Sequence, residues 1–464
     1  MAGSGSSARL TAKGKIGGGS PAKATLLSPT TDGDSKKSST PSPAAKNRSA
    51  TRDTTSSGGL LSTLYRYVRS FCSHDATPRP WTVADVPSGE ELNKRLKHQN
   101  KNLPCINTPD YDTSVLGVWQ NRKGYKLFTR TFYPPAGAEK SKGCIFFHHG
   151  IQASCSEGFR NQQGHTLGAW CLAQELATSE GYTCYCYDAF SHGFSEGFFS
   201  KQASAGDATL ADCDKFFLTS YEDIVDDYCD YVEHRMAAKA NDGKKFFLYG
   251  ESWGGACAIL AGLRFQSGPA APLLSARLRG VVLAAPMIDV KLPIFPIRMV
   301  LRYLIAPLFP TWRPIFMPHN TRVDALSEDP VVQMGVMSKQ AYHAENNPLR
   351  LGTALMAVTM CEEVQRRLGI TGGCSASSLR QKKGAFNPGT SEVKFDFITI
   401  HASGDTVTLP EGSEALVENC GSDEGQVKKL VRVPSKEHMI LMNAKSFWKA
   451  MAQVTMFLEE QVKK

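Results

Sequence analysis

From about Asp112 onward, apolar and polar positions switch repeatedly between a two-residue and a 3.6-residue period. Val115 to Trp119 and Tyr125 to Tyr133 read as the two arms of a β-hairpin turning at Arg122-Lys123-Gly124. Cys144 to His148 is a short apolar run, and a helical pattern follows over Thr166 to Ser179. The strand-like Tyr182 to Tyr187 precedes an acid-rich amphipathic helix over Tyr221 to Arg235. Lys245 to Tyr249 reads as a strand that leads into a helix of small residues, Trp253 to Arg264, and then a strand, Gly280 to Ala285. The alternation resumes with a strand at Phe395 to His401 and a helix at Pro410 to Asn419. A strand at Val427 to Val433 and a helix at Ala444 to Gln461 close the chain. Strands alternating with helices predict an α/β fold, a mostly parallel central sheet flanked by helices on both faces. Its core spans 112–287 and 391–464.

The span between those segments, 288–390, is too long for a loop inside a compact sheet and predicts an inserted helical cap. It opens with an apolar, proline-punctuated stretch, Leu292 to Phe316, broken by Arg298, Arg302 and Arg313. Within it, Gly372 to Gly389 is rich in Ser, Gly and Lys and reads as a loop. Upstream of the body, residues 1–58 are Ser, Thr, Gly, Ala, Lys and Pro with almost no aromatics. Such a segment cannot bury enough apolar surface to offset its ordering entropy, so it reads as a disordered basic tail. Its acid-poor composition also fits an organelle transit peptide, although the arginine patterning of one is weak. Residues 59–74 then place Leu61, Leu64, Tyr65, Val68, Phe71 and Cys72 at helical spacing, flanked by Arg66 and Arg69. A short basic amphipathic helix of this kind suits a membrane surface, and a helix packed on the body explains the same spacing.

Composition changes the picture in two places. The 464 residues are 41% hydrophobic and 21% charged, ordinary for a globular protein with a large core. The formal charge of +9 suggests a nucleic-acid partner until it is located. Residues 1–60 hold nine Lys/Arg against three Asp, so +6 of it sits in the tail and the body is not a polyanion binder. The thirteen cysteines form no C-x-x-C pair, no zinc spacing and no disulfide framework, which suggests reduced thiols. No window offers 18 uninterrupted apolar residues, and the amino terminus lacks the apolar segment of a secretory signal. A cytoplasmic location, with the helix at 59–74 and the cap available to a membrane surface, is the expectation.

The chemistry is signalled by Gly250-Glu251-Ser252-Trp253-Gly254, a G-x-S-x-G string entered from the apolar Phe246-Phe247-Leu248-Tyr249 and followed by the small Gly255, Ala256 and Ala258. A nucleophilic serine held on a tight strand-to-helix turn needs glycines where side chains would strike neighbouring backbone. A serine hydroxyl also needs an adjacent base. Among the eleven histidines only His438 lies beyond residue 401, directly after a strand, so the base assignment is nearly forced. The acid is expected past the preceding strand, where Asp405 stands in Gly404-Asp405-Thr406-Val407-Thr408; Asp423 is the rival. Glu437, beside the base, reads as a solvated neighbour. Two backbone N–H groups must hold the oxyanion: that of Trp253, after the nucleophile, and one in the loop after an early strand, assigned to Ile151 in His148-His149-Gly150-Ile151. His149 precedes Ser252 and is expected to order this loop by hydrogen bonding.

With these residues placed, the chain from about 112 to the carboxy terminus resembles the monoacylglycerol lipase-like (serine aminopeptidase-like) branch of the α/β-hydrolase family. The resemblance rests on His149-Gly150, the stretch from Asp188 to Gly197, Gly250 to Gly254, Asp405 to Thr408 and His438. Pro310-Thr311-Trp312, Ser327-Glu328-Asp329-Pro330 and Asn347-Pro348-Leu349-Arg350 are similar to plant-type members especially. The resemblance implies a Ser252–Asp405–His438 triad, an apolar cap admitting one acyl chain, and no metal or organic cofactor. Some plant-like members act on lysophospholipids or phenolic esters. It also implies a structural, bracing role for His192. Ala402 departs from the pattern, which usually has glycine after the strand histidine, and the 110 leading residues are additional.

The expected function is therefore hydrolysis of carboxylic esters of single-chain lipids, monoacylglycerol or lysophospholipid, through an acyl-enzyme. Leu292, Ile294, Phe295, Ile297, Leu301, Leu304, Ile305, Leu308 and Phe309 exceed what a cap needs merely to fold. If they instead pack on the core, an esterase of small soluble or phenolic esters is the better reading. A catalytically silent binding module on the same fold is the alternative from another class.

Overall fold

The hairpin that opens the body forms as β1 (Ser114–Gln120) and β2 (Lys126–Phe132), antiparallel, with Gly124 at φ 85° in the turn. That φ lies in the left-handed region open to glycine at no steric cost. The remaining long strands are β3 (Cys144–His148), β6 (Thr183–Tyr187), β7 (Phe246–Glu251), β8 (Leu278–Ala284), β9 (Phe397–Ala402) and β10 (Lys428–Val433). They join the hairpin in one sheet of order β1-β2-β6-β3-β7-β8-β9-β10, parallel from β6 onward, with β2 antiparallel to β6. Two-residue strands β4 (Phe159–Arg160) and β5 (Thr166–Leu167) pair separately. The α/β sheet expected from the alternating periods is present. The structure is a computed structural model that describes residues 114–155, 159–160, 166–197, 216–267, 274–293, 295–312, 323–330, 332–333, 349–370, 389–420 and 425–464. The tail at 1–58, the helix expected at 59–74, most of the loop at 372–389 and Asp423 lie outside them.

The central strands are apolar on both sides because both faces of the sheet are covered. Along β3 and β7, Phe146 and Leu248 face one core, while Phe147, Phe247 and Tyr249 face the other. The first core is closed by α2 (Tyr221–Met236), α3 (Trp253–Ser267) and α6 (Leu351–Arg367). The second is closed by α1 (Ala169–Thr178) and α8 (Ala444–Lys463). Local signals account for these helices. Ser220 caps α2 by accepting from Asp223 N at 3.0 Å, with Glu222 and Asp223 in its first turn and Arg235 in its last. Asn443 caps α8 in the same way, and Phe447, Met451, Val454 and Leu458 recur along its buried side. The helical pattern read from Thr166 begins only at Ala169: Gly168 at φ 133° stands outside helical space, and Thr166 and Leu167 pair with β4.

The insertion carries α4 (Phe295–Val300), which continues through a π turn (Leu301–Ile305) into a last α turn (Ala306–Leu308), and α5 (Val323–Leu326). Helix α6 falls inside the span expected to be cap. Its Met356, Met360, Cys361 and Val364 are buried in the core against α3, so the layer covering the sheet takes in Leu351–Arg367. The α4 segment docks on α6 through Arg302, whose Nη1 lies 2.6 Å from Glu362 Oε1, and through Gly352 N donating to Pro310 O at 2.7 Å. Its other side faces solvent: Ile297 is 51% exposed, Val300 50%, Tyr303 67% and Leu304 54%. Helix α7 (Pro410–Asn419), with proline in its first turn, follows β9.

Candidate active site

Strand β7 runs directly into Ser252, and α3 starts at the next residue. Ser252 sits at φ 56°, a left-handed conformation that costs a non-glycine residue on the order of 1–3 kcal/mol and persists only when its surroundings fix it. The fixing bonds are Ser252 N to Ala284 O at 2.8 Å, and Gly255 N and Met287 N to Ser252 O at 2.9 and 2.8 Å. The flanking glycines are required by contact. A Cβ on Gly250 would lie 2.1 Å from Gly254 O, and one on Gly254 would lie 2.3 Å from His148 O. Ala285, Gln152 and Ser191 also adopt positive φ, each just past the end of a parallel strand. Backbone strain therefore gathers at the carboxyl edge of the sheet, where α/β sheets bind ligands.

His438 Nε2 lies 2.9 Å from Ser252 Oγ, and His438 Nδ1 lies 2.8 Å from Asp405 Oδ2. Facing a carboxylate, Nδ1 carries the proton, which leaves the Nε2 lone pair for the serine hydroxyl. Asp405 is the most heavily bonded group in the site. Its Oδ1 accepts from Val407 N at 2.8 Å and Thr408 N at 3.2 Å. Its Oδ2 accepts from His438 and from His401 Nε2 at 3.3 Å. Nε2 of His401 also faces the carbonyl of Thr408 at 3.1 Å, so it must bear the proton, and Nδ1 accepts from the Ser413 hydroxyl at 2.7 Å. The Thr408 hydroxyl roofs the couple, 3.0 Å from Ala285 O, 3.1 Å from Asp405 Oδ2 and 3.2 Å from His438 Nδ1.

Burial works to raise the Asp405 carboxyl, but the charge of His438 and the two imidazole bonds outweigh it and hold it well below the usual carboxylate range. Burial likewise works to lower His438, but the charge and hydrogen bond of Asp405, aided by Glu251, raise it above its ordinary value. Glu251 itself is pushed up to about 6 by burial, with His438 pulling the other way.

The loop after β3 packs against Ser252. A Cβ on Gly150 would lie 3.4 Å from Ser252 Cβ, so Ile151 follows a residue packed directly on that serine. Trp253 opens α3, and its N–H is one of the donors a helix start leaves without an intrahelical partner. His149 holds this loop, as expected. Its Nδ1–H donates to Gly150 O at 2.7 Å and its Nε2 accepts from Ala189 N at 3.0 Å, so both nitrogens are engaged and burial lowers its pKa. Asp188, fully buried, accepts from Cys155 N at 2.7 Å and Phe194 N at 2.8 Å and so joins the same loop to the turn after β6. Gly193 packs onto that carboxylate at φ 47°. His192 stacks on Trp253 with ring centroids 5.5 Å apart, bracing the start of α3.

The family model described as serine aminopeptidase, S33, matches residues 164–445, more than half of the chain. The protein belongs to the serine aminopeptidase S33 family. Solved structures share its fold. A soluble variant of monoglyceride lipase from Saccharomyces cerevisiae, in complex with a substrate analog, aligns with TM-score 0.53 at 16% identity, covering 75% of this chain and 96% of that one. A carboxyl esterase from Bacillus coagulans, in complex with glycerol, aligns with TM-score 0.50 at 14% identity, covering 75% and 99%. No curated protein sequence matches the chain. The protein is thus an α/β-hydrolase of the serine-hydrolase type, with a fold shared by monoglyceride lipase.

In this S33-family chain three residues have surroundings that the sequence alone does not announce: Glu437, His401 and Thr408. Glu437 is not solvated: it is 0% exposed and accepts from Glu328 N at 2.7 Å and Ser327 Oγ at 3.1 Å. The roles of His401 and Thr408 carry no signal of their own in the sequence, although both lie close to Asp405 in the chain. Among the described residues, no group of three or more His, Cys, Asp or Glu is placed to hold a metal, and no helix is long and apolar enough to cross a membrane.

Proposed function

We propose that the protein is a serine carboxylic-ester hydrolase acting on single-acyl-chain lipids, monoacylglycerol or lysophospholipid. The observation that carries this reading is the unbroken relay from Ser252 Oγ through His438 to Asp405, with 2.9 and 2.8 Å links, at a strained strand-to-helix turn. Ser252 attacks the ester carbonyl while His438 Nε2 takes its proton, and Asp405 keeps Nδ1 protonated and stabilises the imidazolium next to it. The backbone N–H groups of Ile151 and Trp253 hold the oxyanion. His438 then returns the proton to the departing alcohol, which leaves an acyl ester on Ser252. A water activated by His438 releases the fatty acid, and no cofactor takes part.

The lipid part of the reading is supported by the cap. Ile297, Val300 and Leu304 recur at helical spacing and stand half-exposed beside Tyr303, with Phe309 and Trp312 exposed just beyond. A soluble monomer rarely leaves such a stripe to water, and a peripheral contact with a lipid surface would cover it. The substrate class of the yeast monoglyceride lipase points the same way.

The test is labelling by a lipid-tailed fluorophosphonate, comparing the wild type with Ser252→Ala, with monoacylglycerol and lysophosphatidylcholine as competitors. The expected result is labelling of the wild type alone, blocked by one of the two lipids. Loss of turnover in the variant should be on the order of 10⁴-fold or more. A preference for acetyl over long acyl esters would move the reading to a small-ester esterase. A folded wild type that takes no label would point to a silent binding module.

A further inference from the structure

The insertion reaches the site through the loop that carries the base. Helix α5 ends at Leu326, and its last carbonyls lack partners within the helix. Ala325 O accepts the backbone N–H of His438 itself at 2.9 Å, and Leu326 O accepts that of Met439 at 3.0 Å. The residue before the base completes the junction. Glu437 Oε1 accepts from Glu328 N at 2.7 Å and Ser327 Oγ at 3.1 Å, while Oε2 accepts from Ser435 Oγ at 3.3 Å. On the cap side, Gln333 Nε2 donates to Ser327 O at 2.7 Å, and Asp329 N donates to Ser327 Oγ at 3.2 Å. Ser327 and Glu437 are both fully buried.

A carboxylate out of reach of water is costly unless hydrogen-bonded. This one touches neither Ser252 nor Asp405, and both its cap partners lie about 110 positions upstream. An apolar side chain would fill the same space without that cost. What the carboxylate adds is direction, since accepting one fixed backbone N–H and one hydroxyl sets the spacing between the cap segment and the loop. The two backbone bonds extend that registration onto His438.

We infer that Glu437 is a positioning residue that clamps the His438 loop to cap segment 323–330, so that the base meets Ser252 only while that segment is docked. The inference rests on the Ser252–His438 reading above and names a device acting on the same site. In this arrangement the Ser327-Glu328-Asp329-Pro330 string presents one N–H and one hydroxyl to the residue beside the base. Because the clamp acts on the base, it bears on every ester, including acetyl esters too short to need an acyl channel.

The experiment compares Glu437→Met, Ser327→Ala and the double variant with the wild type. The readouts are kcat and KM on p-nitrophenyl acetate and on a long-chain p-nitrophenyl ester, and the rate of fluorophosphonate labelling. The methionine keeps the length of the side chain but has no oxygen to accept from Glu328 N and Ser327 Oγ, which both bond Oε1. The expected result for Glu437→Met is an acetate kcat lower by about 10²-fold at unchanged KM, the cost of a base displaced by roughly 1 Å, with labelling slowed to match. Ser327→Ala is expected to lower the same kcat to a smaller degree, and the double variant to be no worse than Glu437→Met alone, since both changes cut one junction. Wild-type acetate turnover in Glu437→Met, a loss confined to KM of the long ester, or effects that multiply in the double variant would each overturn the inference. If Glu437→Met does not fold, Ser327→Ala decides: wild-type acetate kcat there overturns it as well. Failure of the wild type to take the label would count against the Ser252 reading instead, which keeps the two separable.

Discussion

Replacing Asp405 by asparagine tests the relay at its most constrained point. The two oxygens of Asp405 have different partners. Oδ1 is held by the N–H groups of Val407 and Thr408, which can only donate. The asparagine carbonyl must therefore take the Oδ1 place, and its NH₂ falls where Oδ2 was. There it faces His401 Nε2, which carries a proton because it also meets the Thr408 carbonyl, and His438 Nδ1 at 2.8 Å. His438 can accept from the new amide only by moving its proton to Nε2. In that tautomer the atom 2.9 Å from Ser252 Oγ is a donor and cannot take the serine proton. The expected loss in kcat is about 10⁴-fold, the cost of a wrong tautomer in such a relay, or about 5 kcal/mol of barrier. Initial rates on a p-nitrophenyl ester and fluorophosphonate labelling measure it, with a thermal melt to show that the variant is folded. Activity within tenfold of wild type in a folded Asp405→Asn would refute the assignment and return Asp423 to consideration.

The same pairing fixes a pH dependence. Activity needs neutral His438, whose pKa is raised from 6.5, so kcat/KM should rise with pH to a midpoint above 6.5; a midpoint at or below 6.5 would contradict the pairing. Stability runs the other way: the His438 contribution is complete below 6.5 and is lost as pH climbs through the raised folded-state value. That of Asp405, depressed from 3.8, is present above 3.8 and lost as pH falls below it, so thermal melts should show the pair's largest joint contribution between those two values. Gly254→Ala places a methyl 2.3 Å from His148 O and 2.5 Å from His149 O, driving α3 off the oxyanion loop. It should cost about 1–3 kcal/mol in a denaturant melt and most of the turnover; a variant with wild-type stability would mean that the two backbones are not in contact. Ile297→Asp with Leu304→Asp adds charge to the exposed stripe of α4, and co-sedimentation with liposomes should fall while turnover of a short soluble ester stays at the wild-type level. Unchanged co-sedimentation would remove this stripe from the membrane contact.

What could be read from the sequence was what is local in the chain. The period of the apolar positions located the long strands and most helices, because a strand covered on both faces, such as Phe246 to Tyr249, is a continuous apolar run. The Gly250-to-Gly254 string encodes its own geometry: the glycines sit where Cβ atoms would strike backbone four residues away or in the adjoining loop. His438 was legible by chain order and Asp405 by its place after a strand, and the structure brings both to Ser252. The misread boundaries have physical causes of the same scale. Nothing in the periodicity of Leu351 to Arg367 says whether its buried side faces a cap or the sheet layer.

Glu437 marks the limit of that kind of reading. A glutamate beside a histidine in a loop is solvated unless something covers it, and nothing within ten residues of Glu437 in the chain would do so except Ser435. What covers it is a backbone N–H and a hydroxyl from positions 328 and 327, inside an insertion whose docking no local pattern describes. His401 and Thr408 differ only in degree: their partners are near in sequence, but the bonds depend on β9, α7 and the turn at Asp405 closing on one another. Ser252 and its glycines are specified by strain within one turn. His438, by contrast, is held by three separate pieces of chain, and one of them is the insertion. A change in the insertion therefore has a direct structural route to His438 that does not pass through the substrate.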